Sequence, residues 1–360
     1  MPLLEVENLE VEFVLPGRRH HPVLHSASLA VEAGSTLGIV GESGSGKSML
    51  LRAIMQVMPP RARITSGRIS YDGGDITHPS KSTLARVRGR EIAMILQDPM
   101  TALNPVLTVG QQILETLKAT RQLTGDPARD RARQLLRMVE IPDPERVLRA
   151  YPYQLSGGLA QRVSIAIAIS AEPKILLADE PTTALDVTVQ AQILRLLSDL
   201  RDNLQMALVL VSHDMAVVAQ ACARVAVMYA GSFVESGPST VMFDGPRHPY
   251  TVGLLGSIPR IDAGTKAEAL RAIPGAPPAL GQFPPGCKFE PRCPLATDEC
   301  GQSPVPLTRI AADHEAACLH HDLVAANGVR FAPAASGAAR GTSGENTGET
   351  TLGPALRTAE

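Results

Sequence analysis

At 360 residues and 44% hydrophobic composition, the chain has material for one full-sized core and a smaller extension. Its 34 basic and 36 acidic residues are spread along the chain and leave a formal net charge of -2, which disfavours a nucleic-acid or anionic-lipid partner recruited by charge. The opening MPLLEVENLEVEF places acidic residues where a secretory signal needs positive charge, and apolar runs such as Val163 to Ala171 fall short of the roughly 20 residues that span a bilayer. Membrane association is therefore expected through partners.

Short apolar runs bounded by turn residues predict strands at Leu3 to Phe13, Ser28 to Glu32, Leu37 to Val40, Arg68 to Tyr71 and Ile92 to Leu96. From Pro105 to Ala171 the spacing becomes helical. Val109, Ile113, Leu114 and Leu117 share one face, and Leu135, Leu136 and Val139 another, giving a helical subdomain over about 98–171. Strand signals return at Lys174 to Ala178, Ala207 to Val211 and Val225 to Tyr229, with Val187 to Leu200 supplying a crossover helix between parallel strands. The body, 1–237, reads as α/β. Beyond it Pro and Gly interrupt any long element, which suggests a linker and a small module over 238–325. Residues 326–360 are Ala, Gly, Ser and Thr in the main, and are expected to be a disordered tail.

Residues 41–48 read GESGSGKS, between the apolar run Leu37 to Val40 and the helical LLRAIMQVM. That is the setting of a phosphate-binding loop. Gly41, Ser43, Gly44, Ser45 and Gly46 can turn backbone N–H groups toward phosphates. Lys47 brings a point charge, Ser48 a hydroxyl ligand for Mg²⁺, and Met49 continues into the helix. Residues KILLADE end on an acidic pair after a buried run, so Asp179 would hold Mg²⁺ and Glu180 would polarise the attacking water. His213 ends a similar strand, ALVLVSHD, within reach of a terminal phosphate.

The stretch LSGGLAQR at 155–162 resembles the signature motif of the ABC ATPase family, and the family's other motifs occur here in order. Ser156, Gly157 and Gly158 open a helix, so a hydroxyl, unhindered N–H groups and a helix dipole face one way. The resemblance implies a P-loop fold with a RecA-like core, an antiparallel β subdomain and a helical subdomain. It implies that Ser156, Gly157 and Gly158 bind the ATP of a second ATPase subunit, either a sister chain or a copy of this one. It also makes Gln97 the glutamine that senses Mg²⁺ and water, leading into DPMTALNP beside the membrane subunits. Asp186 of TTALD becomes the acidic member of the interface loop, and His213 the switch. Leu159 stands where many relatives have Gln. An adenine-stacking aromatic is not obvious: Phe13, which reads first as a core-facing strand residue, Arg18, Arg19 and a histidine all remain open.

HPYTVGLLGSI, 248–258, looks like the segment typical of oligopeptide, dipeptide and nickel uptake ATPases. With no export signal, the five cysteines argue against a disulfide framework. Cys287, Cys293, Cys300 and Cys318 cluster late in the chain and offer four soft ligands. Resemblance to this branch favours a [4Fe-4S] cluster, with Zn²⁺ as the alternative and His314 as a substitute ligand or a donor behind one. Cys222 reads as a small apolar residue. The implied machine is an ATP-hydrolysing importer subunit, peripheral on the cytoplasmic face of the membrane. It would work with two permease subunits and an extracytoplasmic solute-binding protein, and without nucleic acid, taking up di- or oligopeptides, nickel or another small solute. A soluble ABC ATPase of DNA repair or translation is the reading from another class. The single compact set of motifs opposes it.

Overall fold

The structure, a computed structural model, describes residues 1–15, 19–183, 185–258 and 272–327, with 329 and 331. Most of the expected disordered tail, together with Arg18, lies outside the described residues. Six strands precede the helical region: β1 (Leu4–Leu15), β2 (Arg19–Val31), β3 (Thr36–Val40), β4 (Ala62–Tyr71), β5 (Gly74–Asp75) and β6 (Ile92–Ile95). Six follow it: β7 (Ile175–Asp179), β8 (Ala207–Ser212), β9 (Arg224–Tyr229), β10 (Ser232–Pro238), β11 (Thr308–Ala311) and β12 (His314–Ala316).

The first sheet has the order β2-β1-β4-β5, and each of its pairings is antiparallel. Leu4, Val6, Leu9 and Val11 of β1 are buried, whereas Glu7 and Glu10 face solvent. The odd–even alternation slips once, at Asn8, whose φ of 46° breaks the register with both neighbouring strands. The second sheet has the order β11-β12-β10-β9-β3-β8-β7-β6, with β9, β3, β8, β7 and β6 mutually parallel. Its central strands β3, β7 and β8 are buried along their whole length, as expected of a parallel sheet covered on both faces.

Between β6 and β7 the chain forms the predicted helical layer, with helices Val109–Arg121, Gly125–Met138, Pro144–Arg149 and Gly157–Ala168. Val109, Ile113, Leu117, Leu135, Leu136, Val139 and Val163 meet in one fully buried cluster. Thr108 and Gln111 cap the first of these helices reciprocally, which fixes where the layer starts.

The C-terminal extension is built onto the ATPase body. Strand β12 pairs with β10, and β11 with β12, so residues 308–316 extend the main sheet. Tyr229 at the end of β9 packs with Tyr250 and Phe289 of the extension, ring centroids 4.6 and 5.3 Å apart, and all three are among the largest fully buried side chains. Glu235 of β10 is wholly buried and accepts hydrogen bonds from the backbone N–H groups of Arg247 (2.6 Å) and His248 (3.0 Å). His314 lies 2.8 Å from the same carboxylate. A buried carboxylate is stable only when so paired, and this one pins the HPYT segment to the sheet. His314 is therefore a partner of Glu235, and it is not among the residues that line the pocket of the four cysteines.

Candidate functional site

Strand β3 runs into the phosphate loop and then into helix Lys47–Ile54. Gly41 sits so close to the neighbouring strand that a Cβ there would lie 2.1 Å from the Met228 carbonyl oxygen. Gly46, with φ of 105°, closes the loop in the left-handed region and leads into the helix. Lys47 folds back over this loop, its Nζ donating to the carbonyls of Gly41 (2.7 Å) and Glu42 (3.0 Å) and to Ser45 Oγ (3.4 Å). Burial pulls Lys47 below the ordinary lysine range, and the carboxylates of Glu180, Asp179 and Glu42 act in the opposite direction.

The carboxyl ends of the adjacent strands β3, β8, β7 and β6 bring the remaining groups to one edge of the sheet. Ser48 Oγ donates to Asp179 Oδ1 at 2.8 Å, which places both expected Mg²⁺ ligands side by side. Asp179 is almost fully buried, and burial raises it above the usual carboxylate range while the Ser48 bond lowers it. Glu180, next in the chain, has φ of 46°. A bulky residue held in that region marks stored strain of the kind found where a side chain must be aimed.

That aim is visible in its partners. Glu180 Oε2 accepts from Gln97 Nε2 (3.0 Å) and Thr183 Oγ1 (2.9 Å) and stands 3.3 Å from His213 Nδ1. Three residues, from the end of β6, the TTALD loop and the end of β8, thus converge on one carboxylate oxygen. Lys47 can stabilise a transferring phosphoryl group, Asp179 and Ser48 can ligate Mg²⁺, and Glu180 can orient water. Thr183 is a member of this cluster that sequence reading missed, although it belongs to the TTALD motif.

The signature residues form a second surface. Ser156 and Gly157 are exposed, and Ser156 Oγ caps helix Gly157–Ala168 by accepting from Leu159 N–H at 3.4 Å. Asp186 caps helix Val187–Leu204 by accepting from Val189 N–H at 2.9 Å. The two helix starts abut: a Cβ on Gly157 would lie 3.6 Å from Leu185, and one on Gly158 3.1 Å from Val189. Leu159 is part-buried against the main core, so the departure from Gln leaves the Ser-Gly-Gly surface open.

Of the adenine candidates, Phe13 pairs with His21 across the hairpin and packs partly buried against the core, in line with its reading as a core residue. On either side of Gln97, Leu96, Met100 and Val106 are apolar yet exposed around the short helix Pro99–Ala102. Cys222 is buried, with its thiol pushed up to about 12 by burial, and it packs beside Gly38 of β3 as a small apolar residue would.

Cys287, Cys293, Cys300 and Cys318 line one small pocket with Phe289, Leu295, Val305 and Ala317. His248 and His320 line it too, two residues not named as pocket members by sequence. Burial pushes the thiols of Cys293 and Cys318 up to about 11 and about 12. Among the described residues, however, no group of three or more His, Cys, Asp or Glu side chains is placed to hold a single metal ion.

This arrangement is that of an ABC ATPase, and the comparisons agree. Residues 24–183 match the ABC transporter family and residues 234–300 the oligopeptide/dipeptide transporter C-terminal region. A protein of Brucella abortus (strain 2308) named for peptide import and ATP binding is 47% identical over 317 residues, covering 88% of this chain and 94% of that one. The dipeptide transport ATP-binding protein DppD of Escherichia coli (strain K12) is 45% identical over 325 residues, 90% and 98% of the two chains. Among solved structures, the dimeric post-hydrolysis state of the ATP-binding cassette MJ0796 with ADP and Pi superposes with a TM-score of 0.59 and 29% identity, over 66% of this chain and 98% of that one. The chain belongs to the ABC transporter family, in the branch that carries the oligopeptide/dipeptide C-terminal region. It is thereby an ATPase whose hydrolysis is coupled to transport.

Proposed function

We propose that the chain powers uptake of di- or oligopeptides, binding Mg²⁺·ATP at Lys47, Ser48, Asp179 and Gln97 and hydrolysing it with water oriented by Glu180. The observation that carries the reading is the convergence of Gln97, Thr183 and His213 on Glu180 beside the Ser48–Asp179 pair. The relatives' names supply the peptide substrate. The exposed, abutting signature and interface-loop starts suit a second ATPase subunit that closes over the nucleotide. The apolar exposure at Leu96, Met100 and Val106 suits a permease helix, peripheral attachment being consistent with the lack, among the described residues, of a helix long and apolar enough to cross a membrane. Cells that depend on this transporter should accumulate labelled tripeptide with the wild-type chain and lose that uptake with Glu180→Gln. Equal uptake with both would remove the chain from the transport step.

For the cysteine pocket, the donor set is that of a thiolate-ligated centre. Four thiolates can ligate a [4Fe-4S] cluster, one on each iron, or a single Zn²⁺, and resemblance to the oligopeptide-uptake branch favours the cluster. We propose that Cys287, Cys293, Cys300 and Cys318 hold such a cluster as a structural clamp. No step of ATP hydrolysis runs through it.

A further inference from the structure

The phosphate loop is gripped from outside by the C-terminal extension. Glu42, its second residue, donates its backbone N–H to Tyr250 Oη at 2.8 Å. Its carboxylate meets the Arg292 guanidinium in a two-pronged pair, Nη1 to Oε2 at 2.7 Å and Nη2 to Oε1 at 3.0 Å. Arg292 is itself fixed: Nε donates to the Pro274 carbonyl at 2.8 Å, and Nη1 lies 3.3 Å from Tyr229 Oη. Only 6% of the Arg292 side chain is exposed. A planar fork held this way transmits position and cannot simply swing aside.

We infer that Arg292 and Tyr250 are positioning residues for ATP binding, holding the Glu42 peptide so that the phosphate loop keeps its shape when Lys47 turns to phosphate. The inference rests on the ATP site proposed above. Lys47 Nζ bonds the carbonyls of Gly41 and Glu42, and a bound phosphate competes for the same ammonium. Within the loop, the Ser45 N–H to Glu42 carbonyl contact at 3.2 Å is a weak hold. Tyr250 and Arg292 secure the same residue through its N–H and side chain, neither of which a phosphate displaces. Neither residue reaches the Ser48–Asp179 pair or Glu180 by a hydrogen bond in the structure, so they act on nucleotide affinity and not on the chemical step. The branch-specific extension is thus wired to the nucleotide through residues 250 and 292, the latter next to Cys293.

The test is equilibrium binding of Mg²⁺·ATP to the full chain, with steady-state ATPase kinetics of the reconstituted complex, for Arg292→Ala, Arg292→Lys, Tyr250→Phe, Glu42→Gln and the Arg292→Ala/Glu42→Ala double variant. Arg292→Ala should raise the ATP Kd and KM on the order of tenfold with kcat within about twofold, the pattern of lost uniform binding. Arg292→Lys, a point charge without the fork, should fall between it and wild type. The double variant should be no worse than Arg292→Ala alone, because the two side chains act as one unit. A folded Arg292→Ala chain with unchanged KM, or additive losses in the double variant, would overturn the inference, even if thermal stability fell. If Arg292→Ala does not fold, Tyr250→Phe and Glu42→Gln decide, and wild-type affinity in both would overturn it equally. A wild-type chain that bound no ATP would sink the site itself and not this coupling.

Discussion

In the proposed mechanism Glu180 orients the attacking water, and its surroundings say what its loss would do. Replacing the carboxylate with the isosteric amide leaves the Lys47 and Ser48–Asp179 contacts in place, so Glu180→Gln should bind ATP as wild type while turnover falls on the order of a hundredfold or more. Undiminished turnover in a phosphate-release assay would take Glu180 out of that role. Gly41→Ala is a second case decided by one atom. Its Cβ would sit 2.1 Å from a backbone oxygen that cannot move aside, so the loop must shift, at a cost of about 1–3 kcal/mol. A lower melting temperature together with weaker ATP binding is expected, and wild-type values in both would contradict the packing seen here. At this scale the sequence was legible wherever candidate residues fall in a short motif: Gly41 to Ser48 and the pair Asp179 and Glu180 lie together at the ends of β3 and β7. Arg292 and Tyr250 were not legible, because their partner Glu42 is more than 200 residues away and nothing local marks the pair.

The helix that begins after Ser156 and the helix that begins after Asp186 abut, and Ser156, Gly157, Asp186 and Val187 at their starts form an exposed patch. A Ser156→Arg chain places bulk and positive charge on that patch and removes the cap, which costs about 1 kcal/mol. The isolated subunit should still bind ATP, whereas ATP-driven pairing and turnover should fall on the order of a hundredfold. Sedimentation with Mg²⁺·ATP reads this directly, and unchanged pairing would remove the signature from the interface. The buried parallel strands were readable as apolar runs between turns, and the helical layer from its spacing. Strands β11 and β12 were not, since Thr308, Arg309 and Ala311 are exposed and carry no apolar alternation. Their place is fixed by pairing with β10 and by His314 on the buried Glu235, which is why a sequence break after Gly237 overstated how separate the extension is.

Taken whole, the ATPase body carries the C-terminal extension at two places: on its main sheet, through β12 on β10, and on its phosphate loop, through Tyr250 and Arg292 on Glu42. If the four cysteines hold an iron–sulfur cluster, chain purified without oxygen should carry iron and acid-labile sulfide in equal amounts, and Cys293→Ala should lose both. Zinc in stoichiometric amount, or no metal with normal assembly, would contradict that proposal and leave the ATPase untouched. The most direct test of peptide import is ATP hydrolysis by the membrane complex in liposomes, with its solute-binding protein presented empty, peptide-loaded or nickel-loaded. Peptide-loaded protein alone should stimulate turnover; stimulation by nickel-loaded protein instead, or by none of the three, would contradict the peptide assignment.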